Sequence, residues 1–376
     1  MADTRVERLA RVLAEHSVRI QPGDRILIEG ETEAAPLIRA VFEAILAAGG
    51  HPHMLLSLEG VETTLTGLDS SFLRLANDDQ LDFTPTFVKL AYDTFEGRIR
   101  IHSSGNTMAL TNADSARLAR RRRAMQPILK AQFQRGATGA FKWVTTLYPT
   151  QAYAMAAEMC LEDYEDFVYK ACHVDDGTAD PSAYWRGVEA EQKRVVEALA
   201  GHAALAVRGP DCDLSLSIKD RTFLNSYGVH NMPDGEIFTG PVEESVNGWI
   251  RFSYPATYQS RQVRDVELTF KDGRVAEASA GKNEAFLLEM LETDAGARYL
   301  GEFAIGMNTG ITRHTGNTLF DEKIGGTIHM ALGAGYPDTG SKNSSAIHWD
   351  MVCDMRRGGE MSLDGEVIYS NGAFVI

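Results

Sequence analysis

Apolar residues recur at Val6, Leu9, Ala10, Val12 and Leu13, the spacing of one helical face, and Gln21-Pro22-Gly23-Asp24 then supplies a turn. Arg25 to Gly30 follows as a short β-branched run, Ala34 to Ala48 as a helical stretch closed by Gly49-Gly50, and His53 to Leu56 as a second strand. A strand, a crossover helix and another strand demand a parallel sheet covered by helices, so the N-terminal half predicts an α/β domain with a parallel sheet. Leu118 to Arg135, Ala152 to Cys160, Leu161 to Lys170 and Ala183 to Ala200 read as further helices, and Trp143 to Tyr148 reads as a strand stopped by Pro149. After Gly209-Pro210 the segments become short and alternating: Asp213 to Ile218, Trp249 to Tyr254, Val263 to Phe270, Arg274 to Ala280, Thr327 to Leu332, Ala346 to Met351 and Glu366 to Tyr369. One helix, Glu284 to Leu291, interrupts them. This texture predicts an α+β domain with a largely antiparallel sheet, and a division into domains 1–205 and 206–376.

Charge narrows the range of partners. The 376 residues hold 52 Asp and Glu against 37 Lys and Arg, a net charge of −15 with histidine neutral. Such a chain gains little from neutralising phosphates, which argues against nucleic acid and anionic membranes. The basic run Arg120 to Arg123 points around its helix, as a solvated face or an intersubunit salt-bridge surface would. Met1 to Glu15 is amphipathic and charged, and no window approaches a membrane span, so the chain reads as cytoplasmic. Cys160, Cys172, Cys212 and Cys353 form no CxxC pair and read as reduced core thiols.

The chemistry concentrates in the second half. In Ala346 to Met351, period-two alternation puts Ile347, Trp349 and Met351 on one face and His348 with Asp350 on the other. The same alternation isolates His329 among apolar neighbours in Gly326 to Leu332, and Tyr336 follows a glycine-rich bend. Glu236, Glu302 and Glu322 join them; taken singly, each stands after Gly or Asp, where a carboxylate is ordinarily a turn or surface residue. Together, neutral imidazoles and carboxylates are the donor set of a hydrolytic divalent metal site. The four carboxylates Glu236, Glu302, Glu322 and Asp350 carry −4, which two divalent ions would cancel. No HExxH, GxSxG or GxGxxG occurs, and Gly335 to Lys342 misses the phosphate-loop spacing by one position.

The segments Met232 to Thr239, Leu300-Gly301-Glu302, Asp321-Glu322, Gly326 to Gly333 and Asn343 to Asp350 resemble the aminopeptidase T, aminopeptidase S and PepS family of metalloexopeptidases. In the N-terminal half, Trp143 to Thr150 and Met159 to Tyr169 are similar to that family as well. The resemblance implies two divalent ions, zinc, cobalt or manganese, held by Glu236, Glu302, Glu322, His329, His348 and Asp350, with Tyr336 as the active-site tyrosine. It also implies a homodimer formed through the C-terminal domain, around a cavity that admits short peptides. The stretch between Tyr336 and His348 is short here, where some members carry a longer acidic insertion.

The function expected is a metal-dependent aminopeptidase in which two ions activate a water. Glu302 is the first candidate to shuttle its proton, with a bridging-ligand role as the alternative, and Tyr336 a donor to the oxyanion. A different reaction class competes: a ring-cleaving dihydroxypyridine dioxygenase needs one Fe(II) held by two histidines and one aspartate, which His329, His348 and Asp350 alone would supply. A third reading keeps the cluster as a structural or binding site without catalysis.

Overall fold

In the computed structural model, residues 3–60, 64–258 and 261–376 are described, and the chain forms two compact units. The first comprises Met1–Arg186 and Gly228–Pro233, the second Gly187–Tyr227 and Asp234–Ile376. The cut falls inside the helix Pro181–Leu199, upstream of the 205/206 division expected from the change in segment spacing. Residues 228–233 belong to the first unit because Asn231 and Met232 pair in parallel with Thr145 and Thr146, a long-range pairing that local sequence does not announce.

In the first unit, β1 (Arg25–Glu31), β2 (His51–Ser57), β3 (Gly97–His102) and β4 (Lys142–Leu147) lie in the order β2-β1-β3-β4, with Asn231–Met232 as the far edge, all parallel. This is the sheet that the βαβ pattern predicts. Strand β1 is buried at every position after Arg25, as parallel strands covered on both faces are. Burying charge there requires pairing: Glu29 is fully buried, accepts from Arg100 Nε at 2.6 Å and from the Tyr92 hydroxyl at 2.9 Å.

Helix Ser115–Gly136 carries the four-arginine run, and the four side chains meet different surroundings. Arg120 pairs with Asp78 and Asp82 at 2.6 Å. Arg121 is buried and donates to the carbonyls of Thr64, Leu81 and Phe83. Only Arg122 and Arg123 are left exposed. One arginine of the run is internal, one is tied to surface carboxylates and two face solvent, because successive helical positions point about 100° apart.

The second unit has an eight-stranded antiparallel sheet and a five-stranded one. The five-stranded sheet contains Leu224–Ser226, β5 (Glu236–Thr239), β6 (Leu300–Gly306), β7 (Thr327–Gly333) and β8 (His348–Asp354), with spatial order β8-β7-β6-β5 and Leu224–Ser226 at the edge. One apolar cluster draws on both sheets: Val207, Leu214, Ile250 and Leu268 from the larger, and Phe303, Ile305, Ile328, Met330, Trp349 and Met351 from the smaller. Trp349 is 1% exposed and stacks on Tyr258 at 5.4 Å. By alternation, everything facing that core leaves its neighbours on the opposite face of β6, β7 and β8.

Candidate metal centre

That opposite face is where the polar residues meet. Register aligns Glu302 with Ala331 and Ala331 with Asp350, Ala304 with His329 and Phe238, and Gly306 with Glu236. The intervening positions are Ala304, Gly306, Ala331 and Gly333, small residues that leave room above the sheet for long side chains from four strands. Gly306 is required by a close approach: a Cβ there would stand 2.3 Å from the Ile324 carbonyl oxygen. Its absence lets the segment after the short helix Thr318–Asp321 cross the sheet and bring Glu322 and Lys323 to the cluster. Backbone bonds from Asn308 N to Lys323 O and from Lys323 N to Phe320 O, both 3.0 Å, fix that crossing.

All six expected ligand residues converge. Three overlapping groups each place one donor atom per residue within 4.8 Å of the others: Glu236, Glu302 and His329; Glu302, His348 and Asp350; Glu322, His329 and Asp350. His329 Nε2 lies 3.3 Å from Glu236 Oε2 and 3.4 Å from Glu302 Oε1, while His348 Nε2 lies 3.4 Å from Glu302 Oε2 and 3.5 Å from Asp350 Oδ1. Glu302 thus divides its two oxygens between two histidines. The Ala334 carbonyl, 2.8 Å from His348 Nδ1, orients the ring with Nε2 toward the carboxylates.

The electrostatics are those of a cation site. Burial alone would lower both imidazoles, but the surrounding carboxylates outweigh it: the Glu302 hydrogen bond and the Glu236 charge raise His329 to about 9. The Asp350 charge and hydrogen bond, with Glu302, raise His348 to about 10. Asp350, which burial would raise, is held down at about 2 by His348, His329 and Lys323. Glu322 is pushed up by its burial. Glu236 Oε2 is buried and accepts no hydrogen bond from the described residues, so a bound cation would satisfy it. The donor set therefore fits divalent ions.

Tyr336 stands just past β7, its ring 5.4 Å from His348 and 5.5 Å from Phe238, with Thr339 Oγ1 donating to its carbonyl at 2.6 Å. Dehydration of its hydroxyl, and then the charges of Glu302 and Asp350, push the phenol above its ordinary pKa, although 46% of the residue remains exposed. The turn Pro337–Thr339 after it takes the place of the phosphate loop considered above.

Two features escape the sequence. Glu236 and Glu302 lie on strands, buried at 6% and 5% exposure, where their neighbours suggested turns. Lys323 is fully buried, 3.3 Å from Glu236 Oε1 and ion-paired with Glu322. Burial would lower its pKa, but Glu236, Glu322 and Asp234 raise it, so the ammonium stays charged. A lysine in Asp321-Glu322-Lys323 reads as a surface residue, and nothing in its spacing marks it as internal. It corrects the charge count: four carboxylates against one ammonium leave −3, where the carboxylates alone gave −4.

Residues 2–374 match the family described as thermophilic metalloprotease (M29). Aminopeptidase 2 of Geobacillus stearothermophilus is 26% identical over 367 residues, covering 91% of this chain and 86% of that protein. Aminopeptidase T of Thermus thermophilus is 25% identical over 406 residues, covering 98% and 95%. The solved structure of wild-type AmpT from Thermus thermophilus covers 99% of both chains with a TM-score of 0.81 at 23% identity. A 2,5-dihydroxypyridine dioxygenase from Pseudomonas putida has a TM-score of 0.57 at 12% identity, covering 98% and 96%, a likeness of fold alone. With its family match running from end to end over a buried histidine and carboxylate cluster, the chain belongs to the thermophilic metalloprotease (M29) family.

Proposed function

We propose that this protein is an aminopeptidase that removes N-terminal residues from short peptides with the help of two divalent ions. The observation that carries the reading is the set of three overlapping donor groups, in which Glu302 is shared by two and faces a different histidine with each oxygen. Glu236, Glu302, Glu322, His329, His348 and Asp350 would hold zinc, cobalt or manganese. When bound, such ions lower the pKa of a water and polarise the scissile carbonyl. The division of its oxygens between the two histidines favours Glu302 as a residue that would hold the ions, over the proton shuttle. Tyr336, its ring beside His348, donates a hydrogen bond to the carbonyl oxygen as charge develops there. The reading includes a homodimer working in the cytoplasm.

The aminopeptidase relatives support a peptide substrate with a free N-terminus. The single-iron dioxygenase reading needs only His329, His348 and Asp350, and leaves three further glutamates crowded around one ion without a task. Elemental analysis of protein purified without added metal, paired with a panel of free and N-acetylated di- and tripeptides, tests the proposal. The expected result is two divalent ions per chain and cleavage of the free peptides only, abolished by a chelator. One iron per chain, or a metal-loaded protein inert toward every free peptide, overturns it.

A further inference from the structure

We propose that Lys323 is a resident counter-cation of the metal centre, which braces the cage when empty and weakens its hold on divalent ions. The inference rests on the metal reading above and concerns a residue with no part in the six-ligand set. Lys323 is completely buried, and its ammonium lies 3.3 Å from Glu236 Oε1 and pairs with Glu322 Oε1. Its main chain is fixed beneath the cluster, the N–H donating to the Phe320 carbonyl and the carbonyl accepting from Asn308 N. The next residue is pressed against Gly306.

Two consequences follow from that position. The ammonium takes one oxygen from each of Glu236 and Glu322, which leaves each carboxylate a single oxygen for a metal ion and holds it in place before any ion arrives. Glu236 illustrates the division: Oε1 faces Lys323, and Oε2 faces His329 at 3.3 Å without a hydrogen bond. With both imidazoles neutral, as metal ligands must be, the ammonium also leaves the cage at −3, so a second divalent ion brings it to +1. At this range and in a buried site, repulsion between a fixed ammonium and a divalent ion is large. A cage built only for tightest binding would carry an apolar residue at this position; the lysine gives up affinity for a preset geometry and for ions that exchange.

The test compares wild type with Lys323→Met, which keeps the length of the stem and removes the charge. Zinc affinity is read by competition with a chromophoric chelator, and melting temperature is read with and without zinc. The variant is expected to bind zinc at least about tenfold more tightly. Its metal-free form should melt several degrees lower, because Glu236 and Glu322 lose the ammonium that faces them, and its gain on adding zinc should exceed that of wild type. Equal or weaker zinc binding by the variant, or an unchanged metal-free melting temperature, overturns the proposal. If the metal-free variant does not fold, it is prepared loaded with zinc and release into excess EDTA is timed; at least about tenfold slower release supports the proposal and equal or faster release overturns it. Failure of wild type itself to bind zinc, cobalt or manganese would overturn the metal reading, a different result from wild-type binding that Lys323→Met leaves unaltered.

Discussion

Metal binding should release protons, and the structure says how many. Without metal, His329 and His348 titrate at about 9 and about 10, so at pH 7 both imidazoles are protonated. A metal ion needs each as a neutral donor. Binding at pH 7 should therefore expel about two protons per chain, and affinity should rise about 100-fold per pH unit up to pH 9. Zinc titrations by calorimetry at pH 7, in buffers of different ionisation enthalpy, give the proton count as a slope. The same shifts fix the pH dependence of the metal-free protein. Both histidines have folded-state values above the unfolded 6.5, so their stabilisation is complete below pH 6.5 and is lost as pH rises through 9 and 10. The metal-free melting temperature should fall across that window, and zinc should flatten the fall. A buffer slope of zero would refute the reasoning, because it would mean that ions bind away from these imidazoles or that the carboxylates do not hold them protonated.

Other consequences are open to direct measurement. Gly306→Ala puts a methyl group 2.3 Å from the Ile324 carbonyl; it should cost about 1–3 kcal/mol in urea unfolding and weaken zinc binding by about tenfold or more. Tyr336→Phe should lower kcat on a dipeptide about 100-fold with KM nearly unchanged, and unaltered kcat would remove the hydroxyl from the reaction. In the first unit, burial and the neighbouring Glu33 raise Glu31 to about 7. Its contribution is fully present below pH 4.5 and is lost as pH rises through 7, so Glu31→Gln should be more stable than wild type by about 2 kcal/mol at pH 8 and no more stable at pH 4.

Period-two alternation in Ala346 to Met351 correctly put His348 and Asp350 on one face, because the pleat is a local property that each strand carries in its own sequence. The βαβ unit and helix Glu284–Leu291 were legible for the same reason. Glu302 and Glu236 were harder. Leu300 to Gly306 and Glu236 to Thr239 are buried nearly throughout, and a short apolar run bearing one carboxylate has no periodic signature. Their place in the site was legible from their residue type beside the two histidines and from resemblance to a family, and not from spacing.

By itself, the sequence determined the two fold classes, the −15 charge that disfavours polyanionic partners, and the residue types of a hydrolytic metal site. Tertiary structure decided what sequence separation hides. It returned residues 228–233 to the first unit through strand pairing, buried Arg121 on three carbonyls, and carried Lys323 across Gly306 into the carboxylates. In each case the partners lie on segments that meet only after folding, and for Arg121 and Lys323 a charge is tolerated inside only where those partners are fixed.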